Sequence, residues 1–198
     1  MRVSPERARI GQRLREERLR QRSSVRETAR RVGVSPSLIS QIERGQVNPS
    51  VSTLWGLVTV LGLPIGDLFE EAPPQPAWPH SSATTPDSRA VIDLESGVHW
   101  ERLTPGEAGG VEFLKVVYPP GAESCDEKSL LRHNGKEFGC VLSGRLGVRV
   151  GFDVHELGPG EAITFDASSP HRLWSIGDEP AEAIWLVIGR ESDPRRLT

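Results

Sequence analysis

The 198-residue chain carries 24 Lys and Arg against 27 Asp and Glu, with 36% hydrophobic residues and a net charge of −3. That length allows one good core or two small ones, and no apolar run nears the roughly 18 residues that span a bilayer. The opening MRVSPERARIG has no apolar signal core, and Cys125 and Cys140 lack a CxxC spacing. A cytoplasmic protein with no membrane span and no disulfide framework is therefore expected.

The charge is uneven. Residues 1–70 hold twelve Arg and seven Asp or Glu, a balance of +5; the remainder balances to −8. A basic front and an acidic back predict two modules with different partners, and nucleic acid is the natural partner of the basic one.

In chain order, Ile10 and Leu14 lie one turn apart in an arginine-rich first helix. Ser24 caps a second, with Glu27 completing a capping box and Gly33 as its stop. Ser35 caps a third that has Pro36 at its first position and closes at Gly45. A fourth starts near Ser50, buries Val51, Leu54, Val58 and Leu61, and ends at Gly62. Pro64 opens a short fifth that buries Ile65, Leu68 and Phe69.

The second and third helices, joined by a glycine turn, form a pair able to cross steeply. The third offers Ser37, Ser40, Gln41 and Arg44 on its polar face. Short polar side chains near a helix N-terminus reach base edges in the major groove, and Gln pairs bidentately with adenine. A bundle with merely solvated polar faces is the plainer alternative.

Residues 70–88, EEAPPQPAWPHSSATTPDS, have little to bury and read as a partly stiff linker. Beyond it VEFLKVVY, FGCVLSG, LGVRVG, AITF and AIWLVIG recur at short spacing between PPG, LSG, GPG and GDEP turns. This is the pattern of an all-β sandwich or barrel. The expected division is a helical DNA-binding domain over 1–70, a linker over 71–89 and a β-barrel sensor domain over 90–198.

The stretch VRETARRVGVSPSLISQIERGQVNPSVSTL resembles the helix-turn-helix domain of phage-repressor-like (XRE-type) regulators. The resemblance implies a lambda-repressor-like all-α domain with Ser35 to Arg44 as the recognition helix. By it Pro36, Ser37, Ser40 and Gln41 face bases, while Arg26 and Arg44 contact phosphates. Family members often carry Gln where Arg26 stands.

Residues 110–188, above all LGPGEAITFDASSPHRLWSIGDEPAEAIWLV, resemble the cupin (jelly-roll) barrel. The family's first motif carries HxH and then Glu, its second a later His. Here His133, Glu137 and His171 occupy three of those positions, and Leu131 stands where the first histidine would be. Two imidazoles and a carboxylate suit a divalent ion such as iron, zinc, nickel or manganese. Three readings stay open for the trio: a metal centre, a metal-free polar effector site, or a locally satisfied structural cluster. Cys140, on the strand after Glu137, is included in the expected pocket.

Taken whole, the chain resembles cupin-containing XRE-type regulators. The resemblance implies an α + β multidomain protein that binds double-stranded operator DNA as a homodimer and responds to a small-molecule effector. A second resemblance, through the HxGxEF segment at His133–Phe138, is to hydroxypropylphosphonate epoxidase, a non-haem iron oxygenase family. That family's helical-domain lysine and tyrosine cluster have no counterpart, since no lysine precedes Lys115 and Tyr118 is the single tyrosine.

Overall fold

Caps and apolar spacing set the helices at the positions the sequence predicts. The computed structural model describes residues 5–63, 65–69, 83–104 and 110–189. Helix α1 (Pro5–Arg20) buries Ile10, Leu14 and Arg18, each one turn from the next. Arg18 lies on the inner face because Glu43 receives it in a fork: Nε reaches Oε1 at 2.5 Å and Nη2 reaches Oε2 at 2.8 Å. Its Nη1 donates to the Ser23 carbonyl at 2.9 Å, so the buried guanidinium is well satisfied.

Helix α2 (Val25–Val32) starts where Ser24 Oγ accepts from the Glu27 amide at 3.1 Å. It stops at Gly33, whose φ of +84° a side-chain-bearing residue seldom adopts. Helix α3 (Pro36–Glu43) is capped by Ser35 and buries Ile39 and Ile42. Helix α4 (Val51–Leu61) is capped by Ser50 and ends at Gly62. It buries the four expected residues and also Thr53, Trp55 and Leu57. A helix buried on more than one side has more than one partner: α4 packs on α1 and α2 and also on the barrel.

The expected fifth helix is a single 3-10 turn, Ile65–Leu68, with Ile65, Leu68 and Phe69 buried; Pro64 lies outside the described residues. Residues 70–82 of the expected linker also lie outside them. The part that follows contains a 3-10 turn at Pro86–Ser88 and is tied to the barrel by Thr84 Oγ1, which donates to the Leu103 carbonyl.

Nine strands build the barrel among the described residues: β1 (Val91–Asp93), β2 (His99–Arg102), β3 (Val111–Tyr118), β4 (Lys136–Ser143), β5 (Leu146–Val150), β6 (Asp153–Leu157), β7 (Ala162–Asp166), β8 (His171–Ser175) and β9 (Ala181–Ile188). A six-stranded sheet ordered β1-β2-β3-β9-β4-β7 faces a three-stranded sheet ordered β6-β5-β8, and all pairings are antiparallel. Burial alternates along β3 and β9, with Leu114, Val116, Ala183, Trp185 and Val187 pointing inward.

The helical head is joined to the barrel by several contacts. The Glu95 amide donates to the Pro49 carbonyl at 3.0 Å. The buried Glu112 carboxylate accepts from the Gly66 amide at 2.9 Å, and the buried Arg102 Nη1 donates to the Gly66 carbonyl at 3.0 Å. Apolar residues of head and barrel form one continuous core.

Candidate functional site

His133, Glu137 and His171 meet because backbone pairing brings their segments together. Glu137 is the second residue of β4, and the alternation there turns it inward. The segment before it is pinned to the start of β8: the Leu131 and His171 amides each donate to the other's carbonyl at 2.9 Å, and the His133 amide donates to Ala167 at 3.0 Å. His133 and His171 thereby face each other edge to face, ring centroids 5.1 Å apart.

Their ring nitrogens have distinct tasks. Nδ1 of His133 lies 3.0 Å from the Asn134 carbonyl and Nδ1 of His171 lies 2.9 Å from that of Ser169. A carbonyl only accepts, so each Nδ1 carries a proton and each Nε2 is left to face the centre. Both Nε2 atoms converge on one carboxylate oxygen: Glu137 Oε1 is 2.7 Å from His133 Nε2 and 3.5 Å from His171 Nε2. His133 Nε2 is buried and lacks hydrogen-bond geometry to any group. A carboxylate and two imidazole nitrogens crowded together need a cation or a proton among them, and one ligand atom from each lies within 4.8 Å of the others. The donor set therefore fits a divalent ion.

Electrostatics prepare the same state. Burial alone would raise the Glu137 carboxyl, but its contact with His133, the charges of both imidazoles and the Trp185 indole N–H outweigh it and hold it below the usual carboxylate range. Burial holds His171 below the ordinary histidine value despite the pull of Glu137. An anionic carboxylate and a neutral imidazole are the forms a metal ion takes.

Trp185 Nε1 donates to Glu137 Oε2 at 2.7 Å and fixes the carboxylate from behind. The indole can lie there because Gly139 is opposite; a Cβ on that residue would fall 2.1 Å from the Trp185 ring. Leu131, at the position of the missing histidine, is buried in the cavity wall. Trp55 of α4 closes the cavity, its indole stacked on the His133 ring at 4.7 Å and 19°.

Cys140 corrects the expected pocket. Strand alternation that turns Glu137, Gly139 and Val141 inward puts Cys140 on the outer face of the sheet, half-buried and away from the trio. Cys125 is buried, and its thiol is pushed up chiefly by burial. Arg102 is buried at the joint with the head, while Arg132 is exposed.

On the head, Arg26, Ser35, Pro36, Ser37 and Arg44 are exposed, and Ser40 and Gln41 are half-buried. Arg44 Nη1 donates to Ser40 Oγ and its Nη2 to Gln46 Oε1, which lays the guanidinium along the polar face of α3. Gln46, on the loop after the helix, joins that face without having been expected there.

Comparison with known proteins gives two matches to family models: a helix-turn-helix domain over residues 9–72 and a cupin domain over residues 114–187. The chain is similar to the HTH-type transcriptional regulator PuuR of Escherichia coli (strain K12), 30% identical over 163 residues that span 81% of this chain and 84% of PuuR. The chain belongs to the HTH-type transcriptional regulators. This regulator also resembles the crystal structure of an HTH_3 family transcriptional regulator from Vibrio cholerae, at TM-score 0.67 and 25% identity over 92% of this chain and 96% of that one. Its likeness to Fe(II)-HppE with alternative substrate (S)-1-HPP is lower, at TM-score 0.48 and 19% identity over 91% and 97% of the two chains. Among its described residues no helix is long and apolar enough to cross a membrane.

Proposed function

We propose that this regulator binds double-stranded operator DNA as a homodimer and that an effector acts on it through the cupin cavity. Ser35 to Arg44 form the reading helix: Pro36, Ser37, Ser40 and Gln41 face bases, while Arg26 and Arg44 hold phosphates. The observation that supports this most is the opposed use of α3 and α4. The first turns its polar face to solvent, while the second is docked on the barrel.

In the cavity, His133, Glu137 and His171 are the residues that would hold a divalent ion. A bound ion would supply open coordination positions and positive charge for an effector. Trp185 would orient Glu137, and the Asn134 and Ser169 carbonyls would orient the two imidazoles.

Fluorescence-anisotropy titration against operator and scrambled duplexes tests the first part. Binding should weaken steeply with salt, and Gln41→Ala should lose discrimination by about 1–3 kcal/mol while retaining most non-specific affinity. Equal affinity for both duplexes at low salt sinks the reading. For the cavity, elemental analysis of protein purified without chelator should find metal that His133→Ala and His171→Ala each abolish.

A further inference from the structure

We infer that the ligand chamber belongs to both domains, with Trp55 of the head as its movable wall, and that it selects organic carboxylates which must expel that wall to enter. The inference rests on the reading of His133, Glu137 and His171 as a metal and effector site. Its first support is the stack itself. Trp55 is only 8% exposed and lies flat on the imidazole whose Nε2 is offered to the centre. Val51, one turn earlier, lines the same chamber. A residue of the DNA-binding domain thus covers a ligand of the barrel site.

Volume gives the second support. With the head in place the chamber encloses about 30 Å³, room for one or two waters. Pockets for organic ligands run to roughly 300–1,000 Å³. An ion with very small partners fits the closed chamber, and a larger organic molecule does not.

The third support is the different origin of the walls. Trp185 is held by its bond to Glu137 and by the backbone of Gly139 beneath it. Leu131 is locked to His171 by a pair of backbone bonds. Both walls are part of the barrel's own framework. Trp55 instead arrives on a helix of the head and meets Trp100 of β2 with ring centroids 5.7 Å apart, so its departure would break contacts between head and barrel and leave the barrel's strand pairing intact. The chemistry of the ligand follows from the lining. Among the described residues around the cavity there is no Lys or Arg. The ion would then be the positive charge that receives an acidic group, while Trp100, Tyr118 and Trp185 receive an apolar body. Such a ligand and the docked head exclude each other, and by linkage each weakens the other's binding.

The test uses full-length protein loaded with Co(II), with formate and benzoate as a small and a large carboxylate. Hydrogen exchange at the Glu95 and Gly66 amides, both bonded across the joint, reports head release. Benzoate should speed both by roughly tenfold or more, and formate should leave them protected. Trp55→Ala should bind benzoate about tenfold tighter than the wild type, a gain of about 1.4 kcal/mol, and formate equally well. Trp55→Leu, which keeps more of the apolar contact, repeats the comparison should the alanine variant fold poorly. Benzoate bound with both amides still protected overturns the proposal. Diethyl pyrocarbonate, which acylates accessible imidazoles, needs no metal. His133 should react roughly tenfold faster in Trp55→Ala than in the wild type, with exposed His155 as the internal standard, and equal rates overturn the proposal. Failure to take up Co(II) despite that acceleration sinks the metal reading alone and leaves Trp55 as the wall.

Discussion

Glu137 shows how one side chain depends on several others. Its Oε1 meets the Nε2 atoms of two imidazoles and its Oε2 a tryptophan N–H. Partners of this kind typically hold ten- to hundred-fold of a metal site's affinity. Trp185→Phe keeps the apolar packing and removes the N–H, so it should weaken Co(II) binding by about that factor in a competition titration. An unchanged affinity would show that Glu137 needs no such support. Acidity acts on the same cluster in a definite direction. The folded His171 titrates below its ordinary value of 6.5 and the folded Glu137 below its ordinary value of 4.5. In both cases the unfolded chain takes up protons before the folded one does. Stability of the metal-free protein should therefore be complete above about pH 6.5 and fall as the pH drops through that value, with a further loss near the carboxylate range. Thermal melts between pH 7.5 and 4 check this; a melting temperature that rises on acidification would contradict it.

At the scale of elements, the helical head owes its shape to caps, glycine stops and one buried ion pair. The Arg18 and Glu43 side chains, each 8% exposed, tie α1 to the end of α3. Glu43→Ala would leave a guanidinium buried without its partner, at a cost of about 3–5 kcal/mol. Chemical denaturation should show that loss, with Arg18→Met/Glu43→Leu recovering much of it. The same scale shows what was readable in advance. Ser24, Ser35, Ser50 and the three stop glycines act locally, so their positions were legible in the chain. The placement of Cys140 was legible too, since it lies an odd number of residues from Glu137 on one strand and must face the other way. Strands β1, β2, β6 and β8 were harder to read, being short or polar and stabilised by neighbours distant in sequence. Trp55 escaped because a helical stripe reveals that a face is buried and not what buries it; the clue was that α4 is apolar nearly all round.

For the whole molecule, the outer face of the six-stranded sheet bears on assembly. Phe113, Leu186 and Phe138 stand in register across β3, β9 and β4, with Ile188 and Leu142 nearby; Phe113, Phe138, Ile188 and Leu142 are exposed. A row of exposed apolar side chains of this kind suits the dimer contact proposed above. Two copies paired there would give the isologous contact of a twofold dimer and present two reading helices to a pseudo-palindromic site. Phe138→Glu should convert a dimer to a monomer in analytical ultracentrifugation and weaken operator binding while leaving the melting temperature within a few degrees. A dimer that persists in this variant would place the contact elsewhere. The juxtaposition of His133 with His171 also belongs to this scale: a gap of 38 positions is closed only by the barrel's topology, so family resemblance carried that part of the sequence reading.

Helix α4 carries a consequence for genetics. Its eleven residues serve two neighbours at once, the head core on one side and the barrel mouth on the other. Selections for regulators deaf to their signal and selections for regulators that respond without one should return alleles in the same short stretch. Expressing either domain alone would bare one side of that helix or the surface it covers. A dissected head or barrel is thus a poor proxy for the intact regulator, and loss of repression or activation in a truncated allele would not by itself reveal which domain had failed.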